Sequence, residues 1–258
     1  MADKLCKGYM VKVLFLDAPF TGKVELSQDT ISYLKEKQYK KIALYGSVQF
    51  CNQLDKVHEQ LKELNIEFIT SKPKRAQIVS QLLGCDNFQD SFNVDLTEVD
   101  AYLYIGDGKF HPLALVYAQK DSSKWKEVIC NDPISGQMLL LDWKHIEKIL
   151  RKYKASLKKF LTVDTVGVIV TIKPGQEQFK PSLVLENKYP DKKFYYFIDN
   201  NVSFDQLENF PFVKIWVNTA CPRVGFDDQE KFLKGVLNMN DAYQAVELLS
   251  KESILTRV

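Results

Sequence analysis

Short apolar runs of strand length alternate along this chain with segments that have amphipathic, helical spacing. Residues 41–45, 101–105 and 166–172 are typical of buried strands, whereas residues 142–161 have the pattern of a long helix. Strands that alternate with helices favour a mostly parallel sheet with helices on both faces. Because ligands bind such sheets at the carboxyl ends of the strands, the sequence predicts an α/β fold with a site at those ends.

Shorter patterns extend this interpretation along the rest of the chain. The pattern predicts further strands at 11–16, 67–70, 127–131, 194–198 and 213–218, and further helices at 27–37, 48–64, 113–118 and 241–250.

A weak internal repeat indicates how these elements group into domains. KKIALYGSVQ and VGVIVTIKPGQ are both strands that end in a small polar turn closed by glutamine, and a cysteine follows each of them further along the chain. We therefore expect tandem Rossmann-like parallel-sheet domains, two of them complete, at 40–161 and 162–258. Residues 1–39 would be the truncated remnant of an N-terminal domain.

Composition excludes several other classes of protein. The 258 residues are 45% hydrophobic, which is ordinary for a globular protein, and the formal net charge of +2 favours neither a nucleic acid nor a membrane surface as a partner. No apolar run approaches the about 18 residues of a membrane span. The first residues lack the apolar stretch of a secretory signal, so a cytoplasmic location with reduced thiols is expected.

The five cysteines are an odd number and are widely spread, which argues against a disulfide framework. Cys85 follows Gly84 and Cys221 precedes Pro222, so both are expected at tight turns that could present a thiolate to a metal or cluster. The alternative is that they are buried thiols, as free cysteines commonly are. Cys130 is predicted to be plain core, and Cys51 and Cys6 are ambiguous.

Two loops at predicted strand ends have the residues of a ligand site. In GDGKFHP, Gly106 and Gly108 permit close backbone approach, Asp107 can accept hydrogen bonds, and His111 is held extended by the proline that follows it. The alternative is a tight turn with a satisfied histidine. The sequence contains neither of the common phosphate-loop motifs.

In the second loop, KPGQ, Lys173 could bind a carboxylate and Gly175 could allow close contact with a ligand. The alternative is an ordinary type II turn, of which this sequence is also typical. Further along, Asp227 and Asp228 lie near Arg223. They could form a helix cap and an ion pair, or they could bind a zwitterionic ligand.

The motifs GSVQ, LLGC, YIGDGKFHPL, VTIKPGQ and FPFVKIWVNTACPRVGFDD, taken in order from about Lys40 to Leu237, resemble the diphthamide-synthesis 2-(3-amino-3-carboxypropyl)histidine synthase family. The resemblance implies three related α/β domains around a [4Fe–4S] cluster that is held by one cysteine from each domain and binds S-adenosylmethionine. The implied reaction transfers a 3-amino-3-carboxypropyl group from S-adenosylmethionine to a histidine of translation elongation factor 2 by a radical mechanism. This is the first step of diphthamide formation.

The resemblance also assigns residues. Cys85 and Cys221 match two cluster ligands. The motifs expected around S-adenosylmethionine contain Gly106, Asp107, Gly108, His111, Lys173, Gly175, Gln176 and Asp228. The family's third cysteine lies in the early half of the first domain, which we expect to be absent from this sequence, and LCKGY around Cys6 does not match the family motif.

The third thiolate therefore has several candidate sources: Cys6, Cys51 or another chain of a homodimer or heterodimer. A labile or absent cluster is a further alternative. The family also implies an external electron donor. An accessory, non-catalytic subunit and a cluster-free S-adenosylmethionine-binding module remain as alternative functions.

Overall fold

The computed structural model describes residues 18–173 and 176–258 and arranges their strands in two sheets. The first sheet has the order β2-β1-β3-β4-β5, with β5 antiparallel to β4 and the other pairs parallel. Its strands are β1 Lys41–Gly46, β2 Glu67–Ile69, β3 Ala101–Ile105, β4 Val128–Asn131 and β5 Met138–Leu141. The second sheet has the order β7-β6-β8-β9 and is entirely parallel. Its strands are β6 Thr165–Thr171, β7 Lys193–Asp199, β8 Ile215–Asn218 and β9 Val236–Asn238.

Helices connect and cover the strands. They are α1 Gln28–Lys37, α2 Val48–Cys51, α3 Asp55–Glu63, α4 Leu113–Ala118, α5 Glu147–Thr162, α6 Phe179–Ser182, α7 Val184–Lys188, α8 Phe204–Leu207, α9 Pro222–Asp227, α10 Met239–Tyr243, α11 Ala245–Ser250 and α12 Ile254–Arg257. Short 3₁₀ turns occupy Gln89–Ser91, Trp143–His145 and Gln229–Lys231. The central strands β3 and β4 are buried along their whole length, which explains their continuous apolar sequences. A mixed α/β fold with parallel sheets is thus confirmed.

Helix α1 packs on the first sheet. Its Leu34 lies in an apolar cluster with Ile42 of β1 and Val57 of α3. The Thr30 hydroxyl donates to Oδ1 of Asn131 at 2.9 Å, which ties the helix to the end of β4. The expected domain bounds at 39 and 161, and the number of Rossmann-like domains, stay predictions.

One large apolar cluster joins the two sheets. It contains Tyr104 of β3, Val168 of β6 and Phe160 of α5, all fully buried. Polar contacts cross the same boundary, because the Tyr117 hydroxyl donates to Oδ1 of Asp227 at 2.7 Å. The carboxyl ends of strands from both sheets therefore keep a fixed relation to one another.

Several predicted elements need correction. The expected helix at 48–64 is two helices, α2 and α3, because the chain turns at residues 52–54, where Nε2 of Gln53 donates to the Phe20 carbonyl at 2.5 Å. The terminal helix at 241–250 is likewise divided at Gln244. Strands β5 and β9 were not predicted. The predicted strand at 11–16 lies outside the described residues.

Candidate functional site

A cleft of about 220 Å³ lies where loops from the two sheets meet. One wall comes from the segments around Arg75 and Cys85, and the other comes from the residues that follow β8 and β9. The lining residues are Lys74, Arg75, Cys85, Asp86, Phe88, Asp90, Ser91, Gln178, Asn218, Thr219, Ala220, Pro222, Asn238, Met239 and Asn240. Most of these side chains are polar, so the cleft suits a charged or hydrogen-bonding ligand.

Cys85 lies on a turn that is closed by its neighbour Asp86. The backbone N–H of Leu83 donates to Oδ2 of Asp86 at 2.8 Å, and the Asp86 N–H donates back to the Leu83 carbonyl at 3.0 Å. The Phe110 ring packs directly on Gly84, because a Cβ at this position would lie 2.3 Å from the ring. The turn therefore presents a half-buried thiol to the cleft.

Cys221 lies on the opposite wall, between the end of β8 and the start of α9. The Thr219 hydroxyl donates to the Ile169 carbonyl at 2.8 Å, and Nδ2 of Asn218 donates to the Cys221 carbonyl at 2.9 Å. Pro222 is the first residue of α9, where its missing N–H costs nothing. These contacts fix the backbone on both sides of a half-buried thiol.

The two thiols lie at the same cleft. Cys85 lines it, and so do Ala220 and Pro222, the residues on either side of Cys221. Burial raises the pKa of the Cys85 thiol, and the charges of Asp86 and Cys221 raise this pKa further. The charge of the Arg75 guanidinium acts in the opposite direction, lowers this pKa and favours a thiolate.

The cleft offers part of the donor set that an iron–sulfur cluster needs. Two thiols at one polar cleft fit two of the three thiolates that the family resemblance implies. Among residues 18–173 and 176–258, no group of three or more His, Cys, Asp or Glu side chains is arranged to hold a metal ion. Cys6, a candidate third ligand, lies outside the described residues.

The remaining two cysteines are directed elsewhere. Cys130 is 3% exposed inside β4, as expected for a core residue, and burial raises the pKa of its thiol to about 12. The Cys51 thiol donates to the Ser47 carbonyl at 3.2 Å, and burial likewise raises its pKa to about 12. Both environments favour a protonated thiol over a metal-binding thiolate.

The GDGKFHP loop lies beside the cleft, and its residues are not among those that line it in the described structure. Asp107 and Gly108 are exposed, and Gly108 has φ +65°, a left-handed conformation that favours glycine. Gly106 is buried at the end of β3, next to the Tyr104 ring. Burial, and then the nearby charge of Arg223, lowers the pKa of the half-buried His111.

Arg223 of α9 contacts this loop directly. Its guanidinium donates to the Phe110 carbonyl at 2.6 Å, lies 4.3 Å from the centre of the Phe110 ring, and pairs with the Asp227 carboxylate at 2.6 Å. Because Phe110 also covers Gly84, the loop, the Cys85 turn and the Cys221 helix form one connected structure.

The KPGQ segment approaches the cleft from another direction. Lys173 is exposed, Gln176 is half-buried, and the Gln176 N–H donates to the Lys173 carbonyl at 3.0 Å. Gly175 lies outside the described residues. Gln178, two positions beyond the end of this segment, lines the cleft.

Asp228 is not among the cleft-lining residues of the described chain. Its Oδ1 pairs with Nζ of Lys231 at 2.8 Å, and its carbonyl accepts from the Lys231 N–H at 2.8 Å, which forms the 3₁₀ turn after α9. The ion pair expected near Arg223 is made by Asp227 instead.

Ten polar cleft residues were not predicted as site residues: Lys74, Arg75, Asp86, Asp90, Ser91, Gln178, Asn218, Thr219, Asn238 and Asn240. Asn218 is part of NTACPR, so the motif was recognised but the role of its first residue was missed. The segment that contains Lys74 and Arg75, SKPKRAQ, reads as an ordinary basic loop.

The fold and the site define an α/β protein in which two cysteines, far apart in sequence, lie at one cleft between two sheets. The chain matches the model of the diphthamide synthesis protein family over residues 4–254, and it belongs to that family. Among the described residues, no helix is both long enough and apolar enough to cross a lipid bilayer.

Curated relatives carry the name 2-(3-amino-3-carboxypropyl)histidine synthase. The enzyme of this name from Pyrococcus horikoshii is 31% identical over 217 residues, which is 83% of this chain and 59% of the relative. Subunit 1 of the synthase from Schizosaccharomyces pombe is 26% identical over 84% of this chain and 49% of its own length. The chain thus spans about half to three fifths of these relatives.

A solved structure has the same fold. The crystal structure of Dph2 from Pyrococcus horikoshii with a 4Fe-4S cluster aligns with a TM-score of 0.67 and 27% identity, covering 88% of this chain and 63% of that one.

Proposed function

We propose that this chain takes part in the transfer of a 3-amino-3-carboxypropyl group from S-adenosylmethionine to a histidine of translation elongation factor 2. The family membership and the names of its relatives support this activity. The geometric observation that carries it is the meeting of Cys85 and Cys221, which are far apart in sequence, at one cleft. A cytoplasmic location is part of the same proposal.

The cofactor would be a [4Fe–4S] cluster with Cys85 and Cys221 as two of its ligands. The third thiolate would come from Cys6 or from the second chain of a homodimer or heterodimer. Cys51 is the weaker candidate because its thiol is bonded to the Ser47 carbonyl. When bound and reduced by an external donor, such a cluster supplies the electron that breaks the carbon–sulfur bond of S-adenosylmethionine.

The residues of the chain would bind and orient S-adenosylmethionine for this reaction. Cleavage of the carbon–sulfur bond consumes one electron and leaves methylthioadenosine; the aminocarboxypropyl radical then adds to a carbon of the imidazole ring, which regains aromaticity by releasing one proton and one electron, so the transfer is redox-neutral overall. The Arg75 guanidinium, on the cleft wall, is suited to the carboxylate of S-adenosylmethionine. Lys173, Gly175, Gln176, Asp228 and the residues from Gly106 to His111 are retained as further candidates around the ligand.

Anaerobic reconstitution with iron and sulfide tests the ligand set. We expect Cys85→Ser and Cys221→Ser to lose most of the bound iron and the charge-transfer absorbance, while Cys130→Ser, the matched control in β4, keeps both. Cys6→Ser and Cys51→Ser identify the third ligand. Retention of a full cluster by both Cys85→Ser and Cys221→Ser would contradict the assignment.

Activity is tested with the same protein, dithionite, labelled S-adenosylmethionine and elongation factor 2. Label on the factor supports catalysis by this chain alone, and label that appears only with a second polypeptide supports the role of an accessory subunit. Binding of S-adenosylmethionine by iron-free protein, without any transfer, would instead indicate a cluster-free binding module.

A further inference from the structure

Strand β7 is an unusually open sheet edge. It lies at one end of the β7-β6-β8-β9 sheet and is seven residues long, equal to β6. Its sequence, KFYYFID, contains no proline or glycine, and charges occur only at its two ends. Natural proteins usually protect such edges with short strands, bulges, prolines or central charges. None of these devices is found in β7, so its edge is suited to pairing with another strand.

The hydrogen bonds to β6 show which backbone groups of β7 face away from the sheet. The Lys193 N–H donates to the Asp164 carbonyl at 2.7 Å, and the Asp199 carbonyl accepts from the Ile172 N–H at 3.2 Å. Odd-numbered residues therefore bond toward β6, and Phe194, Tyr196 and Ile198 direct their N–H and C=O groups outward. No described residue provides a hydrogen-bond partner for these outward groups.

We propose that β7 pairs with β7 of a second copy of this chain, antiparallel, about a two-fold axis at Tyr196. This register overlaps all seven residues. It makes Phe194 and Ile198 of opposite copies a hydrogen-bonded pair, and Tyr196 pairs with itself. The outward groups of both copies are satisfied, and two four-stranded sheets become one continuous sheet.

Charge complementarity is the reason that the partner is a second copy. In this register Lys193 of each copy lies directly opposite Asp199 of the other, at a non-hydrogen-bonded position where side chains approach most closely. Neither side chain has an ion-pair partner among the described residues. Shifting the register by two residues would place Lys193 opposite Phe197 or beyond the strand, which would remove both ion pairs.

The apolar side chains are complementary as well. Between the two charge pairs, every cross-strand contact joins aromatic or branched side chains. Tyr195 and Ile198 are 42% and 57% exposed in the single chain, and Tyr195 contacts Phe212, itself 44% exposed, with ring centres 4.9 Å apart. Tyr195 and Ile198 point to opposite faces of the sheet, so pairing would give exposed apolar side chains on both faces a cross-strand neighbour: Tyr195 of one copy against Phe197 of the other, and Ile198 against Phe194. The proposal concerns a face that the proposed function does not use.

Charge reversal at the two ends of β7 gives a test in which single and double variants should affect self-association differently. Lys193→Asp places like negative charges at both ends of the pair, and Asp199→Lys places like positive charges there. We expect each single variant to weaken self-association of the full chain by about tenfold, measured by sedimentation equilibrium. The double variant Lys193→Asp/Asp199→Lys restores opposite charges and should recover the wild-type dissociation constant.

Mixing the two single variants provides a sharper check. A pair made of one Lys193→Asp chain and one Asp199→Lys chain has opposite charges at both ends, so the mixture should associate more tightly than either variant alone. Lys35→Asp, on α1 of the other sheet, makes the same change in net charge and should leave association unchanged. Asp199→Asn removes the charge of Asp199 but keeps an Oδ1 that can accept from the Asn200 N–H, so it distinguishes the effect of the charge from that of the hydrogen bond.

Amide hydrogen exchange of the unaltered chain examines the register independently. The amides of Phe194, Tyr196 and Ile198 should become more protected as the protein concentration rises, while those of Tyr195 and Phe197 stay protected throughout. A monomer at all concentrations would overturn the proposal. So would a dimer indifferent to both charge reversals, or exchange at the three outward amides that does not depend on concentration, as when the chain's own N-terminal segment covers the edge.

Discussion

Lys120 is the most unusual single residue of the fold, because its ammonium group is completely buried between the two sheets. Its Nζ lies 3.1 Å from Oδ1 of Asp241 and 2.7 Å from Oδ2 of Asp121. The Tyr153 hydroxyl donates to the other oxygen of Asp241 at 2.5 Å. Burial alone would lower the pKa of Lys120, but the two carboxylates raise it above its ordinary value, so the residue is charged in the folded protein.

Lys120→Met should therefore destabilise the protein by about 3–5 kcal/mol at neutral pH, since Asp241 would remain buried without its cation. Urea unfolding measures the difference. The deficit should shrink as the pH is lowered, because protonation removes the uncompensated charge on Asp241. Asp241→Asn in the Lys120→Met background should recover part of the loss, and Lys56→Met, in an exposed pair with Glu59, should have little effect. A Lys120→Met variant as stable as the wild type would contradict this account.

For single residues, the sequence marked the two cysteines at the cleft as candidate site residues but not the polar residues around them. Cys85 and Cys221 were singled out because Gly84 and Pro222 mark tight turns, which are local features. Arg75 and Asn238 reach the cleft only through the tertiary fold, and nothing in their neighbouring letters marks them. Asp227 and Asp228 are adjacent carboxylates that pair with Arg223 and Lys231, a difference that their sequence alone does not show, and the site role of Asp228 stays a prediction.

Helix α9 is the element that positions Cys221, and it packs very closely on β9. Nδ2 of Asn218 donates to Oδ1 of Asn238 at 2.8 Å, and Nδ2 of Asn238 donates to the Pro222 carbonyl at 3.1 Å. A Cβ at Gly225 would lie 2.1 Å from Oδ1 of Asn238, which is itself 3% exposed. The glycine is thus required by the close approach of helix and strand.

We expect Gly225→Ala to destabilise the protein by about 1–3 kcal/mol, although alanine is the better helix former by about 1 kcal/mol. The reason is that Asn238 has no space to move without breaking its two side-chain bonds. In an Asn238→Ala background the same change should cost nothing or be stabilising. Unfolding free energies of the four proteins in this cycle measure the coupling, and additive effects would show that the contact does not matter.

The elements were predicted well where their pattern is local and strong. Strand β3 and helix α4 have the predicted bounds, and β1 differs by one residue. Strands β5 and β9 were missed because four and three residues are too few to establish a period. The break between α2 and α3 was missed because the helical spacing of Leu54, Val57 and Leu61 starts directly after it and nothing in the letters before it marks a turn, whereas Gln53 in the turn bonds to the distant Phe20 carbonyl.

As a whole, the molecule has two sheets but a shared core. Tyr104, Val168 and Phe160 belong to one apolar cluster, and the Lys120 ion pairs and the Tyr117–Asp227 bond lie at the same boundary. Neither sheet can lose its structure without exposing apolar surface of the other.

The two sheets should consequently unfold in one transition. Trp125 and Trp143 pack near the first sheet and Trp216 is buried in the second, so variants can isolate the fluorescence of each region. Trp216→Phe should report on the first sheet, and Trp125→Phe/Trp143→Phe should report on the second. Within each variant, the urea midpoint from fluorescence should equal that from far-UV circular dichroism. Midpoints that differ within a variant would indicate domains that unfold independently.

The contacts of Arg223 link the two segments that carry Cys85 and Cys221. The chain between Cys85 and Cys221 is long, so the sequence connection does not determine their separation. One guanidinium group instead spans the gap, with Phe110 lying over the residue before Cys85 and Arg223 two residues after Cys221. The shared core sets the separation of the two walls, and this contact adds a direct link beside both cysteines, which a ligand or protein surface that displaces Phe110 would remove.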